Sequence, residues 1–353
     1  MKILGIESSC DETSVAIVED GEKLLSCVIA TSLDLHSKYG GVIPEIAARS
    51  HIEAIIPVLE EAMSTAECSW DDIDGIAVTY GAGLGGCLLV GMMTARTLAI
   101  TKSKPLYAIN HVEAHVYANF LTKTNLQDFT LPESQPEFPL LALIVSGGHS
   151  QLVYFKNHFE YKLLGQTVDD AIGEAFDKVA KVLGLPYPGG PSISEKAKGG
   201  DAHAFEFPKA KVDGKYDFSF SGPKTAVLRA TQKLCGKDHN FPSTKLATLL
   251  TESQKADIAA SFQRVAIETV VDKTMIAFEE YSPRSVIIGG GVASSPELRR
   301  QLKEKLPLEI QYTDPKLCTD NGAMIATLGC FKMIHNQPKA DPYSLDIEPN
   351  LSM

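Results

Sequence analysis

The stretch KILGIESSCDETSVAIVED, residues 2–20, consists of two apolar runs joined by a short polar turn. Apolar runs around a tight polar turn predict a β-hairpin. A second stretch, LLALIVSGGHSQLVYFKN at residues 140–157, repeats this pattern later in the chain. Recurrence of one supersecondary unit predicts a duplicated domain.

The segments around the two hairpins show apolar residues at helical spacing, most clearly in residues 43–63 and 251–281. Strands that alternate with helices predict an α/β fold class. The polar, proline-bearing segment 121–139 predicts a connection between two lobes. We therefore expect an N-terminal lobe at residues 1–135 and a C-terminal lobe at residues 136–353.

The composition is that of an ordinary globular protein. The length of 353 residues suggests two domains, at roughly 150 residues each. Seven cysteines are scattered singly, without a CxxC pair, which predicts reduced thiols and a cytoplasmic location. An apolar strand begins almost at the first residue, so we expect neither a signal peptide nor a membrane span.

The charge of the chain is acidic overall, with a formal net charge of −11. This value argues against a broadly basic surface but permits a local one. Residues 209–238 hold seven Lys or Arg against three Asp. The segment is therefore either a solvated face or a local contact for phosphates.

A glycine-rich loop follows an apolar run at Gly81, Gly83 and Gly86, with the spacing G-x-G-x-x-G. The dinucleotide-binding version of this turn also requires an acid at the end of the next strand, where this chain has Asn110. We therefore expect close backbone packing at these glycines and no Rossmann cofactor.

Two further glycine-rich loops occupy residues 145–150 and 289–291. Gly147 and Gly148 can turn backbone amides toward an anion, and a plain hairpin turn is the alternative. The loop at 289–291 separates a strand from a helix, where amides suit a phosphate. With the repeated hairpins, these loops indicate a duplicated nucleotide-binding fold with its ligand between the lobes.

The segment NHVEAHVYANF, residues 110–120, places two histidines four positions apart. Asn110 follows a strand-like run and is a favoured N-cap, so His111 and His115 should lie on one face of a helix. The positive end of the helix dipole favours neutral imidazoles, the form that binds metal ions. The pair therefore indicates a metal site, with a chance pair as the alternative.

Two imidazoles need at least one more protein ligand, and a carboxylate would suit either iron(II) or zinc. Asp320, just before a predicted helix, is the preferred candidate, and a helix N-cap is its alternative role. His51 and His149 are the other candidates, although each could be a hydrogen-bonded structural histidine.

A zinc peptidase is a competing interpretation of the same helix. In H-E-x-x-H sites the Glu directly follows the first His and lies near the metal-bound water. Here the string is H-V-E-A-H, so Glu113 stands about 200° around the helix from His111. Its side chain should point away from the metal, which disfavours a peptidase.

Motifs along nearly the whole chain resemble those of the tRNA N6-adenosine threonylcarbamoyltransferases, the glycoprotease-like TsaD family. They are GIESSCDETS, GGVIPEIAARSH, NHVEAH, LIVSGGHSQL, GEAFDKVAKVLGLPYPGGP, DFSFSGPKTAV, GGGVASSPELR and CTDNGAMIA. The resemblance implies an actin-like, Hsp70-like (ASKHA) fold, in which two lobes with ribonuclease H-like sheets enclose a cleft.

The same resemblance implies the residues of the site. His111, His115 and Asp320 would bind one iron(II) or zinc ion. Many relatives carry Asp or Glu at the position of Ser194 and Asn at that of Ser295. The residues implied to bind the substrate threonylcarbamoyl-AMP are Ile144, Val145, Ser146, Gly147, Gly148, Asp177, Gly190, Ser194 and Ser295.

The activity that the resemblance implies is transfer of a threonylcarbamoyl group from threonylcarbamoyl-AMP to the N6 amine of an adenosine. That adenosine lies 3′ of the anticodon in tRNAs reading codons that start with A. By analogy with the fold, Asp11 and Glu12 face the cleft, and Asp11 is our candidate for the base or orienting group. A purely structural role in the turn is the alternative for both.

Partners are also implied by the resemblance. Besides tRNA, they are a small paralogous ASKHA subunit, a P-loop ATPase, and a synthase that supplies threonylcarbamoyl-AMP. Two other functions remain open: an ASKHA small-molecule kinase, which needs no His-His-Asp metal site, and a non-catalytic scaffold paralogue of the same complex.

Overall fold

The computed structural model covers residues 1–353 and contains two mixed β-sheets with flanking helices. Both hairpins predicted from the sequence are present. The strands are β1 Lys2–Glu7, β2 Glu12–Glu19, β3 Lys23–Thr31, β4 Gly75–Gly81, β5 Leu106–Asn110, β6 Lys123–Thr124, β7 Leu140–Val145, β8 Ser150–Asn157, β9 Glu160–Gln166, β10 Ser285–Gly289 and β11 Ile310–Gln311.

The helices begin and end where capping chemistry favours it. At the start of the longest one, the Thr251 hydroxyl accepts from the backbone amide of Gln254 and the Gln254 side chain accepts from that of Thr251, a reciprocal capping box. The helices are α1 Leu33–Ser37, α2 Pro44–Thr65, α3 Gly85–Thr101, α4 His111–Tyr117, α5 Ile172–Leu183, α6 Gly189–Ala197, α7 Ser221–Leu234, α8 Glu252–Tyr281, α9 Pro296–Lys305, α10 Pro315–Cys318 and α11 Gly322–Ile334.

The two sheets share one topology. The first has the order β5-β4-β1-β2-β3-β6 and the second the order β11-β10-β7-β8-β9. In the first, β1, β2 and β3 are antiparallel neighbours and β4 runs parallel to β1. In the second, β7, β8 and β9 are antiparallel neighbours and β10 runs parallel to β7. The predicted α/β class and the predicted duplication are therefore both present.

Two compact units divide the chain: residues 1–136 with 311–353, and residues 137–310. The division after residue 136 falls inside the segment that was predicted to connect the lobes. Residues 311–353 differ from expectation, because the sequence analysis placed them in the C-terminal lobe. Their position has a physical cause: α11 is almost entirely buried and packs on the first sheet.

Glycines bring α11 unusually close to that sheet. A Cβ atom added to Gly5, in β1, would lie 2.4 Å from both the Ala326 nitrogen and the Gly322 oxygen of α11. One added to Gly329 would lie 2.6 Å from the Cβ of Ala77, in β4. The sheet and the helix are therefore in backbone contact, which only glycine permits.

The tail after α11 is irregular, as predicted, and is anchored to the first unit. The Arg96 guanidinium donates to the carbonyl oxygens of Pro342, Tyr343 and Leu345, with Nη2 2.7 Å from the Tyr343 oxygen. A Cβ on Gly81 would lie 2.1 Å from the Glu348 oxygen. Close packing against the tail thus explains why position 81, the first of the G-x-G-x-x-G loop, is a glycine.

All seven cysteines are free thiols. No helix combines the length and the apolar character that a membrane crossing requires.

Replacement of Gly5 by Ala is expected to destabilise the first unit. The added methyl group would meet helix backbone, which cannot swing away as a side chain can, so we expect a loss of about 1–3 kcal/mol. The measurement is the urea midpoint of the Gly5→Ala variant. Gly41→Ala is the matched control, because a Cβ there meets no atom within 4 Å. Equal midpoints for the two variants would contradict the backbone contact.

Candidate metal centre

The histidine pair lies where β5 ends and α4 begins. Asn110 Oδ1 accepts from the backbone amides of Val112 and Glu113, at 2.8 and 3.3 Å, so Asn110 is the predicted N-cap. His111 and His115 follow on one face of α4, and their ring centroids are 4.8 Å apart. Both side chains are buried. Helix geometry therefore brings the two imidazoles together in the interior.

Asp320 completes the group from the segment between α10 and α11. The N-cap of α11 is Asn321, whose side chain accepts from the Met324 amide at 3.0 Å, so Asp320 does not have the capping role considered as its alternative. Its Oδ1 atom lies 3.4 Å from Nε2 of His111 and 3.4 Å from Nε2 of His115. The ligand atoms of all three residues lie within 4.8 Å of one another.

The two 3.4 Å distances from Asp320 fit a shared metal ion. Ligands about 2.0–2.1 Å from a tetrahedral ion are separated by roughly 3.3–3.4 Å along the tetrahedron edge. No hydrogen bond reaches either ring nitrogen of His115, although both are buried. A buried imidazole without hydrogen bonds is costly unless another partner binds it. Two imidazoles and one carboxylate suit zinc or iron(II) and leave coordination positions open for a substrate.

The alternative third ligands have other contacts. His51 Nδ1 lies 2.7 Å from the Thr13 hydroxyl and Nε2 lies 3.0 Å from the Cys10 carbonyl oxygen. Burial lowers the pKa of His51, which is typical of a neutral structural histidine. The assembled group contains Asp320 and neither His51 nor His149.

The sequence analysis missed two residues that contact His111. Nδ1 of His111 lies 3.2 Å from Oε2 of Glu7 and 3.1 Å from the Ser9 hydroxyl. Glu7 ends β1 and is fully buried. The signal available in the sequence was an acidic residue that directly follows the apolar run of residues 3–6.

Carboxylates surround the centre and shift each other's protonation. Burial raises the pKa of Asp320, but the charges of His111 and His115 outweigh burial and hold it well below its usual range. Burial lowers the pKa of His111, but Asp320 and Glu7 raise it well above its usual range. Burial, with Asp320 and Asp11 adding to it, raises the pKa of Glu12 to about 10.

The turn between β1 and β2 carries Asp11 and Glu12, both partly buried. The backbone amide and hydroxyl of Ser32 donate to the Asp11 carbonyl oxygen, at 3.0 and 2.9 Å. The turn is therefore fixed by the chain that follows β3. Its carboxylates belong to the same electrostatic group as Asp320.

The predicted nucleotide-contacting residues all lie in the second unit. The glycine-rich loop Ser146–Gly148 lies beside two other glycines: a Cβ on Gly290 would lie 2.4 Å from the Val145 oxygen, and one on Gly173 would lie 2.7 Å from the Ser146 oxygen. Gly147 and Gly148 are exposed, with nothing within 4 Å of an added Cβ. The loop therefore presents open backbone above a tightly packed base.

The remaining residues predicted to bind the substrate lie on α5 and α6 and at the start of α9. Asp177 Oδ1 accepts from the Gly189 amide at 2.6 Å, which brings Asp177 beside Gly190. Ser194, on α6, lines a cavity of about 530 Å³ in the second unit. Ser295 is the N-cap of α9, where its hydroxyl accepts from the Leu298 amide. Its side chain therefore already has a structural partner.

Glu113 has surroundings different from the metal group. Its side chain is buried, and burial raises its pKa to about 7 against the opposing effect of Lys332 in α11. It is not a member of the His-His-Asp group. The structure therefore offers no support for Glu113 as the base of a zinc peptidase.

Three of the seven basic residues in segment 209–238 pair with acids of their own unit. Lys209 pairs with Glu268 and Asp272. The other pairs are Lys215 with Glu280 and Lys224 with Asp170. These pairs favour the solvated face over a phosphate contact at those lysines.

The geometry predicts stoichiometric binding of a divalent metal ion. We expect purified metal-free protein to bind one Zn²⁺, and His115→Ala to weaken that binding at least 100-fold because one of three protein ligands is lost. Competition with a chromophoric chelator measures the dissociation constant. His203→Ala, which removes an exposed histidine, should match the wild type; equal binding by His115→Ala would contradict the site.

Metal uptake should release a proton at pH 7. Asp320 and Glu7 raise the pKa of His111 despite its burial, so metal-free protein carries an imidazolium that must lose its proton before Nε2 can bind metal. Zn²⁺ affinity should therefore rise with pH until the raised pKa is passed. Calorimetry in buffers of different ionisation enthalpy counts the protons; at least one is expected, and none would contradict the raised pKa.

Comparisons with known proteins find relatives along the whole chain. The family model described as tRNA N6-adenosine threonylcarbamoyltransferase (TsaD) matches residues 23–327. Proteins of that name are 47% identical in Symbiobacterium thermophilum, over 93% of this chain and 91% of the relative, and 45% identical in Thermomicrobium roseum, over 100% and 97%. A third, from Desulfitobacterium hafniense, is 45% identical over 100% and 98% of the two chains.

Solved structures show a similar fold. The activator of the 2-hydroxyisocaproyl-CoA dehydratase from Clostridium difficile has a TM-score of 0.50 and 16% identity, over 95% of this chain and 96% of that one. Full-length HypF has a TM-score of 0.56 and 14% identity, over 94% of this chain and 46% of that one. The expected ASKHA fold class is confirmed. The family-model match over residues 23–327, together with the full-length relatives, shows that this chain belongs to the tRNA N6-adenosine threonylcarbamoyltransferase family.

Proposed function

We propose that this protein transfers the threonylcarbamoyl group from threonylcarbamoyl-AMP to tRNA. The acceptor is the N6 amine of the adenosine 3′ of the anticodon in tRNAs reading codons that start with A. The observation that carries the proposal is the His111, His115 and Asp320 group in a chain of this family. A kinase or a scaffold is not favoured, because the full-length relatives carry the transferase name.

The reaction is an acyl transfer in which the amine attacks the carbamoyl carbon and AMP leaves. Negative charge develops on the carbamoyl oxygen and on the departing phosphate. His111, His115 and Asp320 would hold one iron(II) or zinc ion, which supplies Lewis acidity toward the threonylcarbamoyl group when bound. Because the three ligands come from two rigid helix starts, their geometry is set before the substrate arrives.

The second unit supplies the groups that bind the nucleotide part of the substrate. Open backbone at Gly147 and Gly148 suits close approach of the phosphate. Ile144 and Val145 end β7, and Ser146 begins the loop. Asp177 with Gly190 suits the ribose and base. Ser194 and Ser295 contribute hydroxyls, whose reach is shorter than that of the longer side chains of many relatives.

A proton must leave the attacking amine. The turn between β1 and β2 offers two carboxyl groups, Asp11 and Glu12, and burial with neighbouring acids raises the pKa of Glu12 to about 10 when no ion is bound. Of the two, Asp11 is our choice of proton acceptor. We assign it the base or orienting role, and its fixed backbone limits the loss of entropy on reaction.

Binding of tRNA requires help from partners. The net charge is −11, and three lysines of the most basic segment are paired with acids of the same unit. RNA affinity depends on free positive charge. A small paralogous ASKHA subunit and a P-loop ATPase would complete the enzyme, and a synthase would supply threonylcarbamoyl-AMP.

The test is transfer of labelled threonylcarbamoyl from threonylcarbamoyl-AMP to unmodified tRNA in the presence of the bacterial partner proteins. Wild type should label adenosine. His111→Ala should lose at least 100-fold in rate, and Asp11→Asn should lose 10²–10⁴-fold, the usual contribution of acid–base catalysis. Asp341→Asn, in the exposed tail, is the carboxylate control and should retain activity.

The outcomes separate the roles. Absence of label with metal-loaded wild type would reject the transferase. Full activity in Asp11→Asn with normal tRNA binding would reject Asp11 alone.

A further inference from the structure

Glu7 is a fully buried carboxylate at the end of the central strand β1. Oε1 accepts from the Ser9 amide at 2.6 Å, and Oε2 accepts from the Thr79 hydroxyl at 2.5 Å. Oε2 also lies 3.2 Å from Nδ1 of His111. None of these partners is a lysine or an arginine. An ionised carboxylate buried in this way is costly unless hydrogen bonds and a nearby cation compensate for lost solvation.

We infer that Glu7 is a positioning residue that fixes the tautomer and the ring orientation of His111 for metal binding. The inference rests on the proposed role of His111 as a metal ligand. It assigns Glu7 no contact with the substrate.

Hydrogen-bond chemistry determines the tautomer. An ionised carboxylate only accepts hydrogen bonds, so Nδ1 of His111 must carry the proton that faces Glu7. The lone pair of the neutral ring is then on Nε2, the atom that lies 3.4 Å from Oδ1 of Asp320. A carboxylate behind a metal-binding histidine also increases the basicity of the ligand.

Glu7 is itself held rigidly. The backbone amide of Ser9, just after β1, donates to one carboxylate oxygen. The hydroxyl of Thr79, on the neighbouring strand β4, donates to the other. His115 is different, because its Nδ1 atom has no hydrogen bond. Packing within α4 must orient His115, whereas the sheet orients His111 through Glu7.

The experiment measures Zn²⁺ binding by Glu7→Gln in competition with a chelator. In a carboxamide of the same shape, the oxygen stays toward the Ser9 amide, which can only donate. The NH₂ group then faces the Thr79 hydroxyl and Nδ1 of His111, so the Nδ1–H group loses the carboxylate as its acceptor. We expect the dissociation constant to rise 10- to 100-fold, the usual effect of removing such a partner. In metal-free protein, at a pH high enough to make the ring neutral, the ¹⁵N shifts of His111 should change from the Nδ1–H form to mixed tautomers, an effect that loss of stability alone would not cause.

Ser8→Ala is the matched control. Ser8 is the next residue after Glu7, is buried, and makes two hydrogen bonds, to the Cys87 carbonyl and from the Gly91 amide, both on α3. This variant should lose stability and keep wild-type Zn²⁺ affinity. A folded Glu7→Gln protein with wild-type affinity would overturn the inference.

Two further variants keep the result decisive. If Glu7→Gln fails to fold, Thr79→Val is the substitute, because it removes a hydrogen bond to the Glu7 carboxylate but keeps the carboxylate. Thr79→Val should weaken Zn²⁺ binding several-fold. A Thr79→Val protein that binds Zn²⁺ as tightly as the Ser8→Ala control would overturn the inference. His111→Ala serves as the reference for the metal site. If His111→Ala binds Zn²⁺ like wild type, the proposed metal role fails; if only Glu7→Gln does, the positioning role fails and the metal role stands.

Discussion

The contact of α11 with β1 is the constraint on which the first unit depends. Gly5 lacks a side chain, so the backbone of α11 lies directly on the sheet at Ala326 and Gly322. This contact fixes the start of α11 and therefore the position of Asp320, two residues before it. The same sheet, through β5, fixes the start of α4. A packing interaction between backbones thus determines the distances within a chemical site.

Electrostatics provides the second constraint, because acids outnumber imidazoles near the metal group. Without an ion, protons supply the missing positive charge: the pKa of His111 is raised, and that of Glu12 is raised to about 10 by burial with Asp320 and Asp11. A divalent cation would replace those protons. Affinity for the ion is therefore coupled to the protonation of His111 and Glu12.

Sequence reasoning identified the duplicated hairpins and the histidine pair, because strand alternation, tight turns and helix spacing are local signals. Asp320 was the preferred third ligand, but His51 and His149 stayed as alternatives, since nothing local shows that α11 returns to the first sheet. Residues 311–353 were assigned to the other lobe for the same reason, because their packing on the first sheet has no local signal in the sequence. Glu7 was missed because its partners, His111 and Thr79, are distant in sequence and meet only when the sheet forms. The roles of the nucleotide-contacting residues remain proposals.

The first unit is discontinuous in sequence, and this has a consequence for biosynthesis. The ribosome delivers both histidine ligands early, whereas Asp320 and α11 emerge only after the whole second unit. Until then the first sheet keeps an uncovered apolar face, which is the kind of surface that chaperones recognise on nascent chains. A truncated product that ends before Asp320 would carry both imidazoles but lack the third ligand. The three-ligand site is therefore complete only after the chain has been synthesised past Asp320.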